Sequence, residues 1–481
     1  MRVAVVGGGI AGLAAAWELA TSGAEVAVYE PGHLGGKLLT SEFLGRPVDE
    51  GPDALLARVP DGTGLCREVG LGDELVAPAS SKALLWSDGK LRPFPDGLVL
   101  GAPARLVPLA RSRVLSLGGM ARALGDLVLP RTQLGSDESV FNVVAARFGA
   151  EVAAKLVDPL VGSIYAGPTM GLSAATTAPQ LLGAAKAKRS LLAGLRQAAT
   201  QAGAANGAAG SGSGAAFMAP KGGMQSLSDQ LVQRLQAPEM GTTFFPMQVT
   251  ALHVDGARVV VLPDEEHYDG AVVAVPAYAA IPLLEPLLAA TGTSGAGVAA
   301  ELAPSLFASV AIVTVGLRGD ELPVPPGHSG ALVAPGSELV MTACSFGSNK
   351  WPHWAAAGTE VLRVSVGKAG DERWATMSDE DLVDRVLEEL AFVLGGRGAK
   401  APAPLPGGWR VSRWPASLPQ YPVGHLDHVA QLRGLLGRAA PHVALAGASF
   451  GRVGVPACIA SGRQAGAALA RSLQGQAEPA A

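Results

Sequence analysis

The chain opens on a change of pattern. A short apolar, mostly β-branched run, Val3–Val6, is followed by glycines at 7, 8, 9 and 12 and then by an apolar stretch in which Glu18 is the first charge. Gly23 and a second run, Glu25–Tyr29, follow, closed by Glu30. This predicts a strand, a glycine turn, a helix ending at Gly23 and a second strand. An export signal would need an unbroken apolar core behind a positive start; Arg2 is the only early cation, and the glycines and Glu18 break the run.

From about Leu65 to Thr200 the periodicity is mostly helical, as in RSRVLSLGGMARALGDLVLP and VFNVVAARFGAEVAAKLVDPLV. Residues 198–216, AATQAGAANGAAGSGSGAA, are of low complexity and predict a mobile loop or a fraying helix. PKGGMQSLSDQLVQRL starts a second glycine turn and helix, and Val249 starts a small β region. That region ends in YDGAVVAVPAYAA, whose strand Gly270–Val275, closed by Pro276, is expected to return to the opening sheet. Residues 280–400 predict a further α/β unit with strands near Val310–Val315 and Val361–Val366. The C-terminal HVALAGASFGRVGVPACIASGRQAGAALARSL repeats the opening pattern: strand Val443–Ala446, a turn over 447–454, then a helix with Pro456 in its first turn.

At 481 residues, 48% of them hydrophobic and 16% charged, the chain predicts a globular enzyme of more than one domain. A net charge of −4 without a basic block argues against nucleic acid as a partner. Cys66, Cys344 and Cys458 are isolated, so neither a disulfide framework nor a metal site is expected. No stretch reads as a membrane span; the expected location is cytoplasmic. Arg105, Arg111, Arg113 and Arg122, interleaved with Leu and Val, could rest on an anionic membrane face or pack on their own domain.

The glycines have a chemical reading. Gly7 makes the tight turn, Gly9 lets backbone approach a pyrophosphate, and Gly12 lets the helix lie on the strand, with Gly8, Ile10 and Ala11 completing the loop. Glu30 stands where a carboxylate accepts ribose hydroxyls. This motif alone does not separate NAD from FAD. Gly35-Gly36-Lys37, beyond the acidic residue, and the C-terminal helix, whose positive N-terminal end would favour a reduced flavin, turn the reading toward FAD.

The chain resembles the FAD-dependent, oxygen-using porphyrinogen oxidases of the monoamine oxidase and phytoene desaturase superfamily. The likeness is carried by VDEGPDALL, LRPFPDGLVLGAP, DPLVGSIYAGP, TACSFGSNKWPHW, RWPASLPQYPVGHL and SFGRVGVPACIASG, and spans nearly the whole chain. Its KWPH segment looks most like the Gram-positive branch that oxidises coproporphyrinogen III; the alternatives are protoporphyrinogen IX, another amine oxidase or desaturase activity, or a porphyrin-binding protein without turnover. The resemblance implies an α/β (α+β) flavoprotein. It would have a discontinuous Rossmann-like FAD domain (1–64, 217–279 and 405–481), a mostly helical domain (65–200), a loop (201–216) and a mixed-sheet substrate domain (280–404).

Beyond the glycine loop, Glu30 and Gly35-Gly36-Lys37, the resemblance implies non-covalent FAD contacts at Gly51, Pro52, Asp53, Val249, Trp414, Gly447, Val453, Gly454 and Val455. Lys37 replaces the family's usual Arg, and Ala448 and Ala457 stand where Asn and Asp are frequent. For a substrate with propionates, Lys82, Lys90, Arg92, Lys350, His353 and His425 are candidate cations, and Tyr165 a candidate ring contact. No side-chain base is nominated, since aromatisation drives the reaction. Oxygen is the expected acceptor, and a ferrochelatase a candidate partner; oligomeric state is left open.

Overall fold

A computed structural model describes residues 1–207, 215–289 and 307–477. Its first sheet is parallel and five-stranded, ordered Thr242–Phe245, Glu25–Tyr29, Arg2–Val6, Gly270–Val273, Val443–Leu445. Strands from the start, middle and end of the chain thus lie side by side. The strand expected to return does so, in the register Val3↔Gly270 to Val6↔Val273. Buried on both faces, Val3–Val6 and Gly270–Val273 read as continuous apolar runs because the inner strands of a parallel sheet are covered by helices on both sides.

Small residues bring the two ends of the chain together. The first helix, Ile10–Thr21, packs along the closing helix, Val455–Ala477, through Ala11 and Ala15 on one side and Gly462 and Gly466 on the other. A Cβ at Gly462 would overlap the Ala11 carbonyl, so only glycine permits this approach.

The second sheet has seven strands, ordered Trp409–Pro419, Phe307–Arg318, Thr359–Val366, Met341–Phe346, Gly330–Val333, Ala83–Ser87, Lys90–Pro93. It is antiparallel except where Gly330–Val333 meets Ala83–Ser87. Its last two strands form a hairpin inside the stretch read as mostly helical. Asp88 and Gly89 turn it with φ of 53° and 69°, the conformation an Asp-Gly pair favours. Residues 106–207 are mostly helical, and include a π-helical segment, Ala153–Gly162, that contains Pro159. Helix Leu191–Gly207 enters the Ala/Gly/Ser stretch, and the part of that stretch from 208 to 214 lies outside the described residues.

Candidate functional site

A cavity of about 630 Å³ runs from the C-terminal edge of the parallel sheet to the second sheet. One end is built by the turns after Val6, Tyr29 and Leu445. The other is walled by Pro159, Ile164, Phe307, Val310, Ile312 and Val333, which make it largely apolar.

At the first end, Gly7 turns the chain at φ 104° with its N–H on the Tyr29 carbonyl (2.9 Å). A Cβ at Gly12 would overlap the Gly7 carbonyl, whereas one at Gly9 would meet no protein atom within 4 Å. Gly12 is therefore needed for helix on strand, and Gly9 leaves its space to the cavity. The first helix has no side-chain N-cap, so its unpaired N–H groups and positive dipole end are available to an anion.

Glu30 is held by the Gly8 N–H (2.8 Å) on one oxygen and the Gly32 N–H (2.9 Å) on the other. Gly35 gives its N–H to the Gly8 carbonyl (2.8 Å), and Gly36 would bring a Cβ to 3.3 Å from the Gly9 Cα. Both have positive φ, at 99° and 59°, so this glycine pair packs tightly against the loop. Lys37 lines the cavity, and burial lowers its pKa. Gly51, Pro52, Trp414, Gly447, Val453, Gly454 and Val455 complete the wall, with Ile10 and Ala11 from the first helix. The Trp414 indole N–H donates to the Glu50 carbonyl (3.0 Å), which fixes the ring.

Other candidates lie elsewhere. Val249 is buried in the apolar cluster behind the sheet. Asp53 accepts from Lys350 Nζ (3.0 and 2.7 Å) and the Trp351 indole (3.2 Å), and faces Arg363 at 3.3 Å. Burial opposes its ionisation, but the Lys350 and Arg363 charges prevail and hold its carboxyl well below the usual range. Lys350 is consequently committed to Asp53. His353 packs with Trp351 and Trp354, and burial with nearby Lys221 lowers its pKa. Lys82 and Lys90 are exposed, the Lys82 carbonyl accepting from Ser329; Arg92 donates to the Ser87 carbonyl (2.9 Å). The hairpin cations therefore stabilise or flank a sheet edge.

Tyr165 is buried edge-on to Tyr421, with its hydroxyl on the Thr177 carbonyl (3.3 Å). His425 is 3% exposed and packs against Tyr421. None of Lys82, Lys90, Arg92, Tyr165, Lys350, His353 and His425 is among the residues that wall the cavity.

The motifs around these residues join parts of the fold. Gln420 donates to the Tyr165 carbonyl (2.7 Å), Tyr421 donates to the Ala448 carbonyl (2.8 Å), and Ser173 N–H reaches the Tyr421 carbonyl (2.7 Å). The IYAG and PQYPVGH stretches thus hold the helical region against the closing turn. Two charged wall residues were not among the expected site residues: Asp158, which opens the DPLVGSIYAGP motif, and Lys368. Lys368 lies two residues past the strand Thr359–Val366, between Gly367 and Gly370, a turn signal that places a cation at a strand end.

Two predictions follow from these placements. Lys350→Met should destabilise the flavin-loaded protein by about 3 kcal/mol, because it strips a partner from a buried carboxylate, and leave the substrate KM within about twofold. Urea unfolding and steady-state kinetics check this; unchanged stability with a raised KM would make Lys350 a substrate contact. Burial, with His428 adding to it and Asp137 opposing, pulls His425 from 6.5 to about 4. The unfolded chain takes up this proton near pH 6.5 and the folded one near 4, so stability falls as pH drops between them, by about 3 kcal/mol. Stability curves at pH 7 and pH 5 should converge more closely in His425→Phe; an unaltered difference would clear His425 of the effect.

A parallel sheet that presents glycine turns from both ends of the chain to one cavity, with an apolar compartment beyond them, defines an oxidoreductase built around a dinucleotide cofactor. The family model of flavin containing amine oxidoreductases matches residues 10–470, and the chain belongs to that family. It is 32% identical to the coproporphyrinogen III oxidase of Bacillus subtilis (strain 168), over 96% of this chain and 97% of that one. It is 33% identical to the protein of the same name from Mycobacterium tuberculosis, over 98% of each. Among solved structures, a candidate protoporphyrinogen oxidase from Exiguobacterium sp. 255-15 superposes with a TM-score of 0.82 at 27% identity, covering 98% of this chain and 99% of that one. The fold is shared more widely: cyclohexylamine oxidase from Brevibacterium oxydans IH-35A gives 0.63 at 17% identity. The cofactor is FAD, and the uncapped helix end, the space left at Gly9 and the Glu30 carboxylate suit its pyrophosphate and ribose.

Proposed function

We propose that the protein oxidises coproporphyrinogen III to coproporphyrin III, with oxygen as acceptor and hydrogen peroxide as by-product. One observation carries the reading beyond the family: the cofactor groove and an apolar compartment form a single cavity, so the largely apolar ring of a macrocycle can lie directly against the flavin. Near-full-length similarity to proteins named for this reaction supports the choice of substrate. Six electrons and six hydrogens leave each porphyrinogen, and three molecules of oxygen become three of hydrogen peroxide.

FAD bound in the groove supplies two-electron chemistry. Gly7, Gly9, the first helix N-terminus, Glu30, Gly36 and Lys37 are proposed to hold it, and Gly51, Pro52, Trp414 and Val453–Val455 to flank it. Lys37 and the N-terminal end of the closing helix provide positive potential where negative charge would develop. The apolar wall excludes water and sets the substrate's distance and tilt, which matter most in a reaction driven by aromatisation. Cys458 lines the cavity with its thiol pushed up by burial to about 11, so it is protonated at neutral pH, in keeping with non-covalent flavin.

The specific alternative is protoporphyrinogen IX, favoured by 28% identity to the chloroplastic protoporphyrinogen oxidase of Oryza sativa subsp. japonica. Side-by-side turnover of the two substrates decides between them. We place the protein in the cytoplasm. No helix among the described residues is long and apolar enough to cross a membrane. Surface contact with a membrane is supported by exposed Val107, Leu117 and Val128 in the segment carrying Arg111 and Arg113. Arg122 is not available for it, as its guanidinium donates to the carbonyls of Ala145, Ala146 and Arg147 at the end of helix Val140–Phe148.

A further inference from the structure

Four charged residues wall the cavity, counted among the described residues: Glu30, Lys37, Asp158 and Lys368. The first two belong to the cofactor groove, which leaves one carboxylate and one ammonium to the remainder. Lys368 occupies a turn held from both sides. Gly367 and Gly370 take φ of 88° and 80°, Asp371 N–H returns to the Lys368 carbonyl (2.9 Å), and Ala369 N–H reaches across to the Ala166 carbonyl (2.7 Å).

The turn is thereby pinned to the helical wall, where Ala166 itself adopts the left-handed conformation with φ 46°. The carboxylate in the same turn, Asp371, is taken by Arg373 through two N–H groups at 2.8 Å. Among the described residues the Lys368 ammonium has neither a hydrogen bond nor an ion pair. A cation whose backbone is fixed in the wall of a largely apolar compartment, and which has no acceptor among the described residues, suits an anionic group brought by the ligand.

Asp158 bears on where that group can lie. Its Oδ1 accepts both the N–H and the hydroxyl of Thr169 (2.7 and 2.6 Å), which leaves Oδ2 with no hydrogen bond among the described residues. A carboxylate substituent is repelled from Asp158 and drawn to Lys368, while a pyrrole N–H is suited to Asp158. The two charges therefore orient a macrocycle that has acidic arms at its rim and N–H groups at its centre.

We propose that Lys368 is a positioning residue that binds a propionate carboxylate of the substrate and so selects which edge of the macrocycle enters first. This rests on the porphyrinogen reading above. Lys368→Met should retain wild-type flavin content but raise KM for coproporphyrinogen III about tenfold or more, with kcat within about threefold. For coproporphyrinogen III tetramethyl ester, which carries no carboxylate, KM should be equal in variant and wild type. Lys368→Arg should restore most of the acid's affinity.

Equal KM changes on acid and ester, or no change on the acid, would overturn the assignment. Binding of coproporphyrin III, followed by quenching of tryptophan fluorescence, reads the same contact without turnover. Failure of the wild type to oxidise any porphyrinogen would count against the proposed function, whereas an unchanged Kd in Lys368→Met would count against Lys368.

Discussion

Gly9→Val should give a folded protein that carries no FAD. A Cβ on Gly9 meets no protein atom within 4 Å, so the new side chain grows into the cavity and fills the place where a pyrophosphate would lie. The purified variant should lack flavin absorbance, show near-wild-type far-UV circular dichroism and have no activity. FAD added in excess should not restore it. Gly12→Ala separates the two jobs of the loop. Its Cβ would overlap the Gly7 carbonyl, which cannot yield without displacing the first strand or helix, so this variant should lose folding stability by about 3 kcal/mol or more. Stoichiometric flavin in Gly9→Val would mean that the turn holds something else.

Both ends of the chain were readable because each combines a local pattern with a backbone requirement. Val3–Val6 and Val443–Ala446 are apolar runs leading into glycine turns that only a few residue types can make, and Gly270–Val275 carries the same apolar signature. These short strands pair as read because burial on both faces leaves little choice of partner layer. The hairpin at 83–93 was equally local in its signal, in Asp88-Gly89, but its parallel partner Gly330–Val333 is far away in sequence, and nothing in either segment announces the other.

The substrate end was less legible for a physical reason. Motif-borne cations were the obvious candidates, yet Lys350 neutralises Asp53, Arg92 closes a hairpin and His425 is packed neutral against Tyr421. A recurrent segment marks a constraint without saying whether the constraint is a ligand or a joint. Asp158 and Lys368, by contrast, gain their place from tertiary structure: a π-helical turn brings in one, and a glycine-flanked turn pinned to Ala166 brings in the other. Neither signal exists in periodicity.

The second large effect concerns substrate choice. Coproporphyrinogen III carries four propionates, and protoporphyrinogen IX replaces two of them with vinyl groups. With the Lys368 ammonium unpaired among the described residues, and the neighbouring Asp371 carboxylate taken up by Arg373, added carboxylates should improve binding. Catalytic efficiency should accordingly be at least about tenfold higher on the tetracarboxylate, with most of the difference in KM. Lys368→Met should narrow that gap, which ties the preference to a residue.

The most direct test uses the two porphyrinogens, prepared anaerobically and mixed with the flavin-loaded protein and oxygen, with porphyrin fluorescence and oxygen uptake recorded together. The account predicts faster appearance of coproporphyrin III than of protoporphyrin IX at equal low substrate, with three oxygen molecules consumed per porphyrin formed. Higher kcat/KM on protoporphyrinogen IX, or flavin-loaded protein that oxidises neither, would contradict it.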